Sequence, residues 1–222
     1  RAAIEAEDMG RDDVPDLLVL GVSGTDRVGH VWGPTSCEYV DNLLRTDREL
    51  TALARSLPAE ARVSYVITAD HGVARLPEQT GRPGGRLAGK QILATARSAA
   101  RTALGEGDWI AGDQSSGLYF TAAGDARGEE LAPAVAAALT DMPGIERAYA
   151  FRDRALLAQS ARAVDRLAAA SMPAEVDADV LVVPAVGWFN EVYDVPGGGA
   201  NHGTPWDYDR RIPVLMWGHG IE

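Results

Sequence analysis

Three of the four histidines sit in short polar stretches that follow apolar or glycine-rich sequence. Asp26 and His30 are four residues apart, just past the apolar run 17–22. Asp70 and His71 follow the apolar run 63–68, and His202 lies between Asn201 and Gly203 after the glycines 197–199. Imidazole and carboxylate together suit zinc and similar divalent ions. An Asp-x-x-x-His spacing brings both side chains to one side of a helical turn or tight loop. Adjacent residues on a regular strand point to opposite faces. Asp70 and His71 therefore reach one ion only where the chain leaves strand geometry, and Gly72 permits that. His219 stands between two glycines with no carboxylate beside it and reads as structural or solvent-exposed. Each pair taken alone also fits an ordinary surface or hydrogen-bonded histidine. Together they make five donors. One ion uses three or four, so five point to two ions, and two divalent cations about 4 Å apart suit in-line phosphoryl transfer.

Such donors need elements to bring them together. The run 17–22 (Leu-Leu-Val-Leu-Gly-Val) predicts a strand buried on both faces. Turn residues 23–26 end it, and a loop is expected through His30 to Pro34. A capping box, Thr35 with Glu38, starts a helix. Its apolar positions Val40, Leu43, Leu44, Leu50, Leu53 and Leu57 keep the helical period, and Pro58 closes it. The run 63–68 is the next strand. Strand, helix, strand is a βαβ unit, so the two strands are expected as parallel neighbours. Asp26, His30, Asp70 and His71 then share the C-terminal edge of one sheet, where open α/β sheets build ligand sites.

The middle of the chain reads differently. It has a Gly/Pro/Arg-rich loop at 81–85, Ala-rich helices at 87–104 and 129–139, and short strands at 109–110, 117–121 and 145–151. Residues 155–170 read as helix in two pieces. After Pro173 the core pattern resumes, with a central strand at 178–183 and a last strand at 212–217. The fold class expected is α/β: a mostly parallel central sheet flanked by helices, from residues 1–80 and 176–222, with an inserted α+β subdomain over 81–175. Residues 1–9 read as the tail of a helix stopped by Gly10, which predicts an N-terminally truncated piece.

Composition sets outer bounds. The chain has 222 residues and a formal net charge of −11. That acidity argues against a nucleic-acid partner, which needs a basic surface, and against docking on anionic lipid. No apolar run approaches the roughly 18–20 residues of a membrane span. A lone cysteine, Cys37, allows no internal disulfide.

Three motifs carry a resemblance to a known family: Ser23-Gly24-Thr25-Asp26-Arg27-Val28-Gly29-His30, Thr68-Ala69-Asp70-His71-Gly72-Val73, and the stretch from Asn201 to Arg210. With them the chain resembles the alkaline phosphatase superfamily, in the type I phosphodiesterase/nucleotide pyrophosphatase branch that includes phosphate-irrepressible alkaline phosphatases. The resemblance is clear over 10–75 and 176–222. It implies an alkaline phosphatase-like core and two zinc ions. Asp26, His30 and His202 match the ligands of the first, and Asp70 and His71 match two ligands of the second. It places a further Asp ligand and the Ser or Thr nucleophile upstream, so the second site is incomplete here and the piece by itself is expected to be inactive. It implies hydrolysis of small phosphate monoesters through a covalent phospho-enzyme, in a periplasmic or secreted protein. A phosphodiesterase, a sulfatase or phosphomutase of the same fold, and a non-catalytic metal-binding fragment are the alternatives. Asp207 and Asp209 are candidates for supporting the metal-site histidines, or else surface carboxylates and caps. Trp188, Phe189, Trp206 and Tyr208 either wall the cleft or pack the core.

Overall fold

The computed structural model describes residues 2–58, 61–114, 116–172, 178–191 and 199–221. Pro173 and the glycines 197 and 198 of the expected loop lie outside them. The chain opens with helix α1 (Ala2–Ala6), which buries Ile4. It stops sooner than expected, because Asp8 and Gly10 both take left-handed backbone.

Residues 17–22 form no strand among the described residues. Leu17 and Val19 are 85% and 80% exposed, and Leu18 and Leu20, on the other parity, are 41% and 52% exposed. An apolar run becomes a buried strand only with ladder partners at its edges and cover on both faces. Here it has neither among the described residues. The segment expected as a turn and loop is instead helix α2 (Gly24–Trp32). Helix α3 (Cys37–Ala54) follows, and its cap is Ser36, not Thr35. The Ser36 hydroxyl accepts from the Tyr39 N–H at 3.1 Å, while the Thr35 hydroxyl donates to Gln79.

Strand β1 (Ser64–Thr68) leads to Asp70 and His71. Then come a short helix α4 (Pro77–Thr80), strand β2 (Gly85–Leu87), helix α5 (Gly89–Leu104), and a hairpin of β3 (Ile110–Gln114) and β4 (Gly117–Phe120). Helices α6 (Ala122–Asp125) and α7 (Gly128–Thr140), strand β5 (Ile145–Ala150), and helices α8 (Arg154–Leu157) and α9 (Ala163–Ala170) complete the middle. Strands β6 (Val180–Pro184) and β7 (Trp188–Asn190), helix α10 (Asp207–Arg210) and strand β8 (Val214–Gly218) follow. Pro213, which has no N–H to give a ladder, falls just outside β8.

The fold is α/β, but the ladders within this chain are mainly antiparallel. β1 pairs with β8 antiparallel, from Ser64 opposite Gly218 to Thr68 opposite Val214. The expected parallel pairing of β1 with residues 17–22 is not made. Among the described residues only β2 and β7 pair in parallel. The largest sheet runs β3-β4-β6-β5 and is antiparallel throughout. Its hairpin turn from β3 to β4 is too short for a crossover helix, so the pair must be antiparallel. The strand expected to resume the core, β6, is central in this sheet instead. Its side chains alternate between two clusters. Val180 and Val182 belong to the cluster that holds Leu131, Val135 and Leu139 of α7 and Ile92 and Ala96 of α5. Leu181 and Val183 meet Tyr149, Val164, Ala168 and Met172 on the other face. Burial on both faces is why β6 reads as an unbroken apolar run.

Cover should decide mutational cost. Leu131→Ala, at a fully buried site, is expected to lower stability by about 2–5 kcal/mol. Leu17→Ala should change it by less than about 0.5 kcal/mol. Urea unfolding of the two variants checks this, and equal losses would mean that residues 17–22 are buried.

Candidate metal centre

Helix α2 positions the first two donors. Asp26 lies in its first turn and His30 in its last, the ends that suit a carboxylate and an imidazole against the helix dipole. Gly24 and Gly29 argue against a helix on propensity alone. The packing overrides it: Gly29 is buried, and a Cβ there would meet the Tyr39 ring of α3 at 3.3 Å. The i, i+4 spacing then puts both side chains on one face.

On that face three donors converge. Asp26 Oδ1 lies 3.4 Å from His30 Nε2 and 3.6 Å from His202 Nε2. One donor atom from each residue can be chosen so that all lie within 4.8 Å of one another. The His71 ring stacks on the His202 ring with centroids 3.5 Å apart and 16° between planes. Asp70 Oδ2 lies 3.6 Å from His71 Nε2, and its carboxylate faces open solvent. The structure thus brings Asp26, His30 and His202 together with the His71 ring against them, while Asp70 stands exposed beside His71.

The ring nitrogens turned away from this centre are engaged. His30 Nδ1 is 2.9 Å from the Ala200 carbonyl, and His71 Nδ1 is 2.9 Å from the Gly72 carbonyl. A carbonyl can only accept, so each Nδ1 carries a proton, and in the neutral imidazole each Nε2 presents a lone pair. Lone pairs on His30 Nε2 and a carboxylate 3.4 Å apart repel unless a cation or a proton lies between them. Histidines anchored through their outer nitrogen are the usual support for metal ligands. This donor set fits a divalent ion.

The third segment is tied in by main-chain bonds. The Ala200 N–H donates to the His30 carbonyl at 2.8 Å, and the Ala74 N–H to the Asn201 carbonyl at 3.2 Å. The Gly72 N–H donates to the Asp209 carbonyl at 2.7 Å. The Asn201 side chain donates to the Asn190 carbonyl and accepts from the His202 N–H, each at 2.9 Å. Sequence reasoning named His202 but not Asn201 as its holder. An amide directly before a candidate donor after three glycines was the available signal. Gly72 was read as permissive, yet its role is steric: a Cβ there would come 2.1 Å from the Tyr208 carbonyl oxygen.

Asp209 is buried, and one oxygen accepts from the Thr204 N–H at 2.8 Å and its hydroxyl at 2.6 Å. Burial pushes its carboxyl up from the ordinary carboxylate range, against those two hydrogen bonds. Asp209 thus shapes the loop that follows His202. Asp207 is exposed and pairs with Arg211 at 2.9 Å. Trp206 donates from its indole to the Pro184 carbonyl at 2.9 Å, and Phe189 is fully buried. Burial pushes His202 below the ordinary histidine range, and His71 and His30 add to the effect.

Two outcomes follow. Gly72→Ala must move backbone against backbone, so it should cost about 1–3 kcal/mol and loosen the Asp70–His71 corner. Urea unfolding measures the first effect, and unchanged stability would contradict the close approach. In chelator, the folded chain resists the proton that unfolded His202 takes up below pH 6.5. The contribution of His202 to stability is therefore fully present above about pH 6.5 and is lost as pH drops toward the lowered value. Unfolding midpoints at several pH values should show this fall, and His202→Gln should flatten it.

The family model for type I phosphodiesterase / nucleotide pyrophosphatase matches residues 2–188. The alkaline phosphatase PhoK of Sphingomonas sp is 29% identical over 241 residues, covering 100% of this chain and 42% of that protein. The alkaline phosphatase PafA of Elizabethkingia meningoseptica is 41% identical over 76 residues, 33% of this chain and 14% of that one. The crystal structure of wild type PafA matches with a TM-score of 0.83 at 23% identity, over 100% of this chain and 43% of that one, and so shares its fold. The chain therefore spans less than half the length of these relatives where they match it throughout. With the fold shared and the family model matching most of its length, the chain belongs to the type I phosphodiesterase / nucleotide pyrophosphatase family.

Proposed function

We propose that the parent protein is a zinc-dependent hydrolase of phosphate monoesters that works through a covalent phospho-enzyme. The observation that carries this reading is the convergence of Asp26, His30 and His202, with the His71 ring stacked on His202. In this reading Asp26, His30 and His202 hold the first zinc, and Asp70 and His71 provide two ligands of the second. The donors are imidazoles and carboxylates, the set zinc takes, and not the all-oxygen set of calcium. When bound, paired zinc ions supply Lewis acidity and positive charge for phosphoryl transfer.

The residues of this chain do the holding. Ala200 and Gly72 fix which nitrogen of His30 and of His71 faces inward. Burial disfavours the charged form of His202, which favours it as a ligand. Asp209, through Thr204, shapes the loop that follows His202. The nucleophilic Ser or Thr and the remaining ligands of the second ion are assigned to polypeptide that the longer relatives have beyond the matched 42%. The segment 81–175 is assigned to a cap over the core, which β6 joins to its sheet. Names among the relatives favour monoesters, since PhoK and PafA are both called alkaline phosphatases. The family model's own description favours a diesterase as the second reading. A periplasmic or secreted setting goes with the first. No described helix is long and apolar enough to cross a membrane.

The intact protein should carry two zinc ions by elemental analysis and hydrolyse p-nitrophenyl phosphate at alkaline pH faster than its bis-ester. His202→Ala should lose one zinc and nearly all turnover. One ion or none in the wild type, or full activity in His202→Ala, would falsify the assignment. A preference for the bis-ester would move the reading to the diesterase. Residues 1–222 alone should give no turnover above background.

A further inference from the structure

Arg86 of β2 lies outside every motif singled out in the sequence. Its side chain is 16% exposed. Its Nε and Nη2 both donate to the Gly199 carbonyl, at 2.9 and 2.7 Å. The same guanidinium donates to both carboxylate oxygens of Glu78, with Nη2 at 3.1 Å from Oε2. Its carbon lies 5.7 Å from the centroid of the buried Phe189 ring.

Gly199 immediately precedes the residue that orients His30. It takes left-handed backbone, φ 49°, a conformation that favours glycine. Ala200 follows, fully buried, exchanging two hydrogen bonds with His30. Asn201 and His202 come next, and Asn201 is bonded to Asn190 at the end of β7. β2 and β7 are parallel neighbours, with Arg86 opposite Phe189. The loop bearing His202 is therefore pinned to one two-stranded ribbon at two points, Gly199 by Arg86 and Asn201 by Asn190. Both pins lie within three residues of His202.

We propose that Arg86 is a positioning residue for the Asp26–His30–His202 site: its forked bond to the Gly199 carbonyl sets where Ala200 meets His30 and where His202 faces Asp26. The inference rests on the reading of that triad as a metal site. A single carbonyl held by two guanidinium N–H groups is fixed in direction as well as distance, which a lysine ammonium cannot reproduce. Glu78 holds the far side of the guanidinium and keeps the fork aimed. Supports of this kind change metal affinity by about 10–100-fold when removed.

The test is zinc affinity of the full-length protein, by competition with a chromophoric chelator, together with the visible absorption of the cobalt(II)-substituted form. Arg86→Ala is expected to lose about 10–100-fold in zinc affinity and to shift the cobalt bands. Arg86→Lys, which keeps the charge and most of the packing, should fail to restore either. Glu78→Gln should give a smaller loss. Arg147→Ala, which removes a cation over Tyr149 in the other core cluster, should leave both unchanged. If Arg86→Ala does not fold, Arg86→Lys and Glu78→Gln decide the matter. Wild-type affinity and spectrum in the folded Arg86 variants overturn the proposal while leaving the metal site standing. A wild type whose zinc is unaffected by Asp26→Asn and His202→Ala overturns the metal reading itself, and the role of Arg86 with it.

Discussion

The backbone of Ala200 gives both of its polar groups to one residue. Its N–H meets the His30 carbonyl and its C=O meets the His30 ring. Ala200 is fully buried, so neither group has water as a substitute, and leaving a buried donor or acceptor unmade costs about 1–3 kcal/mol each. The exchange ties the end of α2 to the loop before His202 and selects the tautomer of His30 in the same act. The rest of the site depends on it. Asp26 reaches the centre through α2, His202 follows two residues after Ala200, and His71 is located by stacking on His202.

The candidate donors were legible in the sequence because their signals are short-range. A four-residue spacing and a polar pair after an apolar strand mark Asp26, His30, Asp70 and His71 without knowledge of the fold. The supports were not legible, because each acts across long sequence separation. Arg86 reaches Gly199 over 113 residues, and His30 reaches Ala200 over 170. Helix α2 was missed because two glycines weaken its local preference, and only burial of Gly29 against Tyr39 reverses that. Residues 17–22 were misread for the opposite reason. Their composition is that of a buried strand, but composition cannot say whether the covering layer lies in the same chain. The middle segment was read best. Its helices and strands pack on one another within about a hundred residues, so local pattern and tertiary burial agree.

The apolar content is unevenly placed. The four-stranded sheet is covered on both faces, by α5 and α7 on one side and by α9 on the other. The β1–β8 pair is not: all five residues of β8 are exposed, with the Trp217 and Tyr65 rings stacked on each other at 5.0 Å. Helix α3 buries none of its residues. The donors sit between these two regimes. His30 and His71 come from the sparsely covered part, while Arg86, Asn190 and Asn201 anchor the His202 loop to β2 and β7, where Phe189 is fully buried. The firmly packed part thus supplies the fixed frame, and the triad spans the boundary.

The pairing of β1 with β8 also sets an order in time. Ser64 finds Gly218 only after about 150 further residues have left the ribosome, roughly eight to thirty seconds at 5–20 residues per second. Residues 202 and 209, which complete the histidine cluster and hold Gly72, emerge in the same late interval. During synthesis the middle segment can fold first, since β3 to β6 and their helices are made before then. The nascent chain meanwhile carries Asp26, His30, Asp70 and His71 without the loop that organises them. The histidine cluster is therefore assembled only after His202 has been made, and until then the strand leading to Asp70 has no ladder partner in β8.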